Sequence, residues 1–308
     1  TLTWVTDGNA LTGSYTKGSI LFETTITEPN TPTKTGYTFA TWEPDVPLTM
    51  PAEDKTFTAK WNPNTNTPYV VKHYRQALDG TYPAALMETE NLTGTTATNV
   101  TPVVKTYTGF TSPAPKETTI LADGSTVVEY YYTRNKYTLT WVTDGNALTG
   151  SYTKGIVLFE TTITEPNTPT KTGYTFAGWN EAVPATMPAT NKPFTATWDA
   201  NQYTITLDKQ GGTGGTSSVL VTFDQTLPTI IAPTRMGYTF AGYYDAVEGN
   251  GTPYYNNSGV GLLSWTTASD GTLYAAWTPN TNTAYVVKHY RQALDGTYPS
   301  TLMEVENF

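Results

Sequence analysis

The sequence predicts the all-β to α+β class, arranged as a tandem array of small modules joined by short linkers into an elongated rod. Two observations carry this. Thr is the commonest residue, and with 22 Tyr, 10 Phe and 8 Trp it suits pleated, half-buried surfaces, which 25 Gly and 21 Pro interrupt with turns. Long stretches also recur: Thr1–Gly18 is repeated at Thr138–Gly155, Leu21–Ala40 at Leu158–Ala177, and Tyr69–Pro83 at Tyr285–Pro299. Two unequal spacings mean two kinds of module rather than one repeat.

The first kind covers residues 1–62 and 135–200. Each copy reads as four short strands, seen in the second as "YTLTWVT", "GIVLFETTI", "GYTFAGW" and "PFTATW". Asp7-Gly8 and Asp144-Gly145 suit turns that need positive φ. The two prolines of "TEPNTPTKTG" argue against a helix between strands two and three. Residues 201–278 form a longer relative of this module. Its insertion "VEGNGTPYYNNSGVGLLSW" reads as a surface excursion ending on Leu262, Leu263 and Trp265. The second kind covers residues 63–134 and, truncated, 279–308. It opens with the strand "YVVKHYRQ", allows a short helical turn in "TATNVTPVV", and ends in a hairpin turning on Asp123-Gly124. The linkers "NPNTNTP", "RNK" and "DANQ" leave little slack. Thr1 falls inside a strand and Phe308 inside an unfinished module, as expected of an excerpt from a longer array.

Composition excludes several functions. A net charge of -9 and a pI near 4.7 oppose nucleic-acid binding, which needs clustered Lys and Arg. No apolar run approaches the length of a membrane span, so no membrane insertion is expected of this segment. Without Cys there is no disulfide framework and no thiolate metal site.

At Gly173–Trp179 ("GYTFAGW"), with "YTLTWVTDGN" before it and "TATW" after, the first kind of module resembles the Listeria–Bacteroides repeat, the internalin B-repeat type. Residues 201–278 match best, although Tyr243 replaces the usual Trp; the first copy carries Thr41 where Gly178 and Gly242 stand. Through "YVVKHYRQALDGTY" and "DGSTVVEYYYTRN" the second kind resembles the MucBP (mucin-binding protein) family. These resemblances imply β-grasp-like modules on wall-anchored or secreted bacterial proteins, and no catalysis.

No catalytic, metal or cofactor-binding constellation is expected. His73 and His289 are the only histidines, and alternation sets His73 with Val71 and Arg75 as a partly exposed strand residue. "GGTGG" at Gly211–Gly215 lacks the Lys-Ser/Thr of a phosphate loop and reads as a flexible hairpin tip. Trp42, Trp61, Trp179 and Trp198 are expected in cores, because modules this small need large side chains. In "VVEYYYT" Val128, Tyr130 and Tyr132 share one face; Glu129 and Tyr131 share the other, leaving Tyr131 the better exposed ring. Tyr131, Glu129 and His73 are the candidate glycan or partner contacts.

The function expected is that of a stalk in a large extracellular, adhesin-like bacterial surface protein, spacing a functional tip from the cell. The alternatives are a module that binds mucin, another glycan or a host surface protein, and a self-assembling fibre held by homotypic edge-to-edge contacts. An enzyme is not expected.

Overall fold

The computed structural model describes residues 1–308. Its helical content is three short 3-10 turns, at Ala84–Leu86, Val247–Gly249 and Ser300–Leu302, so the chain is all-β. It divides into two compact units. One holds Thr1–Thr140, Thr153–Thr164 and Pro184–Pro193; the other holds Trp141–Tyr152, Glu165–Val183 and Phe194–Phe308.

Strands β1 (Leu2–Val5), β2 (Tyr37–Glu43) and β3 (Lys55–Pro63) form a sheet ordered β1-β3-β2, with β1 parallel to β3 and β2 antiparallel to it. Its core is Leu2, Ile26, Trp42, Met50, Phe57 and Ala59. The register shifts between Phe39 and Thr41, and Ala40 is the one extra residue that returns Trp42 to the side of Phe39, their rings 5.3 Å apart. The same device recurs at Ala177 and Ala241, so "YTFAGW" is not a simple alternation.

From residue 67 the chain forms β4 (Thr67–Arg75), β5 (Met87–Gly94), β6 (Asn99–Val100), β7 (Phe110–Thr111), β8 (Thr118–Thr119) and β9 (Val127–Arg134). One sheet is ordered β5-β4-β9-β7, with β4 and β9 parallel; β6 and β8 make a second. The expected hairpin at Asp123-Gly124 is absent, because β8 and β9 belong to different sheets. The turn itself exists, with Gly124 at φ 76°. In place of a ladder, the Thr126 hydroxyl accepts from the Leu121 N–H at 2.7 Å and turns the chain from one sheet to the other. The helical turn expected near residues 96–104 is replaced by β6.

The second copy of the first module contributes β10 (Lys136–Val142), β11 (Gly155–Leu158), β12 (Tyr174–Trp179) and β13 (Lys192–Ala200); β10 pairs with β11 and β12 with β13, both antiparallel. The first copy lacks a β11. There the equivalent residues form only the Leu2–Gly18 bridge.

Next come β14 (Gln202–Asp208), β15 (Ser218–Thr222), β16 (Tyr238–Tyr244), β17 (Pro253–Tyr255) and β18 (Gly271–Pro279), ordered β15-β14-β18-β16-β17. The insertion is more than a surface excursion. It supplies β17, and Tyr255 and Trp265 enter the core while Leu262 and Leu263 stay exposed. Gly211–Gly215 does connect an antiparallel pair, yet it is tied down: Thr213 and Thr234 exchange backbone hydrogen bonds of 2.8 and 2.9 Å. Finally β19 (Val286–Tyr290) pairs antiparallel with β20 (Met303–Asn307).

Candidate functional site

Of the three residues singled out in the sequence, the structure brings two together and separates the third. On β9, Val128, Tyr130 and Tyr132 are buried as alternation requires, and Tyr131 is exposed. Parallel pairing sets Tyr131 beside Tyr74 of β4, where the rings stack at 5.0 Å and 10°. Tyr82 meets Tyr131 edge-on at 5.0 Å. Glu129 accepts from the Tyr131 hydroxyl at 2.9 Å and from the Tyr74 hydroxyl at 3.2 Å, and the first of these hydrogen bonds holds the Tyr131 hydroxyl above its ordinary pKa. The outer face of this sheet thus carries three tyrosines around a carboxylate.

His73 is not on that face. The sequence reading made it partly exposed; it is fully buried. The cause is the central position of β4, flanked by β5 and β9, whose inward side chains close over it. Burial is tolerated because both ring nitrogens have partners: Nδ1 lies 2.8 Å from the Tyr132 hydroxyl and Nε2 3.2 Å from Glu90. The Tyr132 hydroxyl already accepts the Lys105 N–H at 2.9 Å, so its own proton points to Nδ1 and Nε2–H donates to Glu90. Lys105 bridges Glu88 at 2.5 Å and Glu90 at 2.6 Å, and the Tyr107 hydroxyl donates to Glu88 at 2.7 Å. The ammonium lowers both carboxyl pKa values, and the carboxylates raise that of Lys105. This is a satisfied structural network. His289, on the equivalent strand β19, is instead half exposed.

The tryptophans divide similarly. Trp42 is fully in its core; Trp61, Trp179 and Trp198 are half-buried at core margins, Trp179 packing on Phe176 at 5.2 Å.

The sequence reading missed a joint that recurs at the linkers. Each complete module carries a Gly-aromatic-Thr corner: Gly36-Tyr37-Thr38, Gly109-Phe110-Thr111, Gly173-Tyr174-Thr175 and Gly237-Tyr238-Thr239. An Asn in the segment that follows binds each corner twice. The N–H groups of Asn64, Asn135, Asn201 and Asn280 donate to the glycine carbonyls, each at 2.9 Å. Their side-chain oxygens accept from the Thr hydroxyls at 2.8, 2.6, 2.6 and 2.7 Å. The Asn carbonyl then turns to the next module: Asn64 accepts from Thr96 N–H, Asn135 from Phe159 and Asn201 from Phe223, each at 2.9 Å.

Side chains close the joint. The glycines sit at φ 76–80°, which favours Gly, and at Gly36, Gly109 and Gly173 the neighbour leaves no room for a side chain. A Cβ on Gly173 would lie 2.5 Å from the Phe223 ring, and one on Gly36 2.6 Å from the Ala122 carbonyl. Phe110 meets Phe159 edge-on at 5.9 Å, and Tyr174 meets Phe223 at 5.4 Å. Arg134, 6% exposed, lies over Phe110 and donates to the carbonyls of Gln76 and Phe159 and to Glu160. Tyr174 donates to Asp224 at 3.1 Å.

Among the described residues no His, Asp or Glu cluster is arranged to hold a metal ion. No helix is long and apolar enough to cross a membrane.

Known proteins place the chain. The sequence profile of the Listeria-Bacteroides repeat domain matches residues 1–72, 137–200 and 203–276. The chain is 38% identical over 129 residues to Internalin H of Listeria monocytogenes, an alignment covering 39% of this chain and 22% of that protein. It is 25% identical over 280 residues to a protein of Evansella cellulosilytica provisionally named a membrane protein, covering 84% of this chain and 41% of that one. A second protein of that organism, provisionally named a Gly-rich membrane protein, is 25% identical over 297 residues, covering 86% and 32%. The chain therefore spans well under half the length of these relatives. Matched over more than half of its residues, it belongs to the Listeria–Bacteroides repeat domain family.

Proposed function

We propose that this chain is a stalk segment of a bacterial surface repeat protein, holding a functional part of a longer polypeptide away from the cell. Family membership supports the repeat-protein part of this reading, and residues 63–134 are read as a MucBP-like module within the array. The observation that carries the stalk role is the joint. A flexible tether would expose Gly- or Ser-rich linkers; these linkers are instead bound on both sides, through the same Asn geometry at modules of different kinds. Repeated fixed joints serve span rather than catalysis. The test exploits the absence of native cysteine. Spin labels at Leu48→Cys and Val103→Cys, both highly exposed and on neighbouring modules, are expected to give one narrow distance distribution. A broad distribution refutes the stalk.

The tyrosine face of residues 63–134 favours a second reading, carbohydrate contact. Exposed rings can cover the apolar face of a sugar while Glu129 and Lys72 meet its hydroxyls. A glycan array on the full chain tests it: retention is expected and is lost in Tyr131→Ala, whereas absence of any retention removes this reading.

A further inference from the structure

The joint has a receiving half, and one copy of it stands open. In two of the three occupied copies it is a Phe followed by an acidic residue held at positive φ, Phe159-Glu160 (φ 64°) and Phe223-Asp224 (φ 63°); in the third, Thr96-Ala97 (φ 62°) takes their place. A short turn fixes each pair, with Thr161 N–H donating to Leu158 O and Gln225 N–H to Thr222 O, both at 3.1 Å. The acidic residue's N–H also donates into its own module, to Met187 or Trp265.

Phe22-Glu23 in the first module has all of these features. Glu23 sits at φ 65°, its N–H donates to Met50 O at 2.9 Å, and Thr24 N–H donates to Leu21 O at 3.2 Å. Yet Phe22 is 63% exposed, whereas Phe223 is 8% exposed. The N–H groups of Phe159 and Phe223 donate to a linker Asn; that of Phe22 has no acceptor among the described residues. Phe22 also borders a groove of about 260 Å³ with Ile20, Met50 and Pro51. An exposed Phe beside an idle donor, on a backbone already set in the receiving shape, is a formed surface without its occupant.

We propose that Phe22-Glu23 is a docking face for another repeat module, which presents a Gly-aromatic-Thr corner and the Asn that follows it. The Asn carbonyl accepts the Phe22 N–H, the corner aromatic meets the Phe22 ring edge-on, and an Arg or Tyr reaches the Glu23 carboxylate, as Arg134 reaches Glu160 and Tyr174 reaches Asp224. The corner is common to both kinds of module, so either kind fits. The proposal rests on the joint as an inter-module contact, not on the stalk role.

The test places a second copy of residues 63–137 directly ahead of Thr1, which reproduces the sequence around Asn135. Hydroxyl-radical footprinting then reads Phe22 and Phe159 in the original and extended chains. The modification rate of Phe22 is expected to fall to that of Phe159 on extension, and to recover when Phe110 and Arg134 of the added copy are both changed to Ser. An unchanged Phe22 rate while Phe159 stays protected overturns the proposal. So does protection in the unextended chain that grows with concentration alongside a dimer in sedimentation, which would make the occupant a second copy of this chain. Footprinting reports contact whatever the distance distribution shows, so the stalk reading and the docking face fail separately.

Discussion

Two glycines of one module separate the worth of the joint from the strain of a turn. Gly145 and Gly173 occupy the same region of backbone space, at φ 84° and 79°. A Cβ on Gly145 meets nothing within 4 Å; one on Gly173 lies 2.5 Å from the ring of Phe223. Substituting Ala at either forces an L side chain into left-handed space, at about 1–2 kcal/mol. Gly173→Ala must also displace a ring that is 8% exposed, as in overpacking a core, for about 1–3 kcal/mol more. That increment corresponds to roughly 5- to 150-fold in an opening equilibrium. A single denaturation midpoint would blur modules together. The proper observable is hydrogen exchange at the Phe223 N–H, which donates to Asn201 across the joint. Protection there is expected to fall by that extra factor in Gly173→Ala relative to Gly145→Ala, while amides in β14 and β18 stay protected in both. Equal loss in the two variants would show that Phe223 yields without cost and that the joint does not fix the neighbouring module.

Further expectations concern single groups. His73→Phe leaves the buried Tyr132 hydroxyl without an acceptor and is expected to cost about 1–3 kcal/mol, whereas His289→Phe, at a half-exposed site, stays within about 0.5 kcal/mol; urea unfolding followed by exchange on β4 and β19 distinguishes them. Arg134→Lys cannot reproduce the donations to Gln76, Phe159 and Glu160, so exchange at the Phe159 N–H is expected to rise while the core of residues 67–134 keeps its protection. Tyr255 is fully buried with an unsatisfied hydroxyl, its pKa pushed up to about 12 by burial, and Tyr255→Phe is expected to stabilise residues 202–279 by about 1 kcal/mol in urea; destabilisation would reveal a partner for the hydroxyl. Glu88 and Glu90 have folded pKa values below the usual carboxylate range, so their contribution is complete above that range and is lost as pH falls through the lowered values. Thermal unfolding from pH 7 to pH 3 is therefore expected to show a steeper acid loss in the native chain than in Lys105→Met, and parallel curves would contradict this.

The sequence made the β9 alternation legible, but not what the segments around Asn64, Asn135 and Asn201 do. Tyr130, Tyr131 and Tyr132 could be sorted because period-two patterning needs no knowledge of distant residues. His73 could not, because its burial depends on Glu90 and Tyr132, far along the chain, and on β4 being central. Asp123-Gly124 misled for a related reason: the dipeptide specifies a turn, not which strands pair after it. The joint did leave a signal. "GYT" and "GFT" occur in modules that otherwise differ, each followed by an Asn. Phe159 lies within the expected strand "GIVLFETTI", where nothing local announces an outward contact.

The parallel pairs β1–β3, β4–β9 and β14–β18 have a mechanical consequence. In each case the first strand of a module lies beside its last and runs the same way. The polypeptide therefore goes in at one end of the module and comes out at the other. When the two ends are pulled apart, load runs along both strands in opposite senses, and the hydrogen bonds between them are sheared together instead of being unzipped one after another. Each such module resists stretching as a block, and does so in a chain without a single cysteine to staple it.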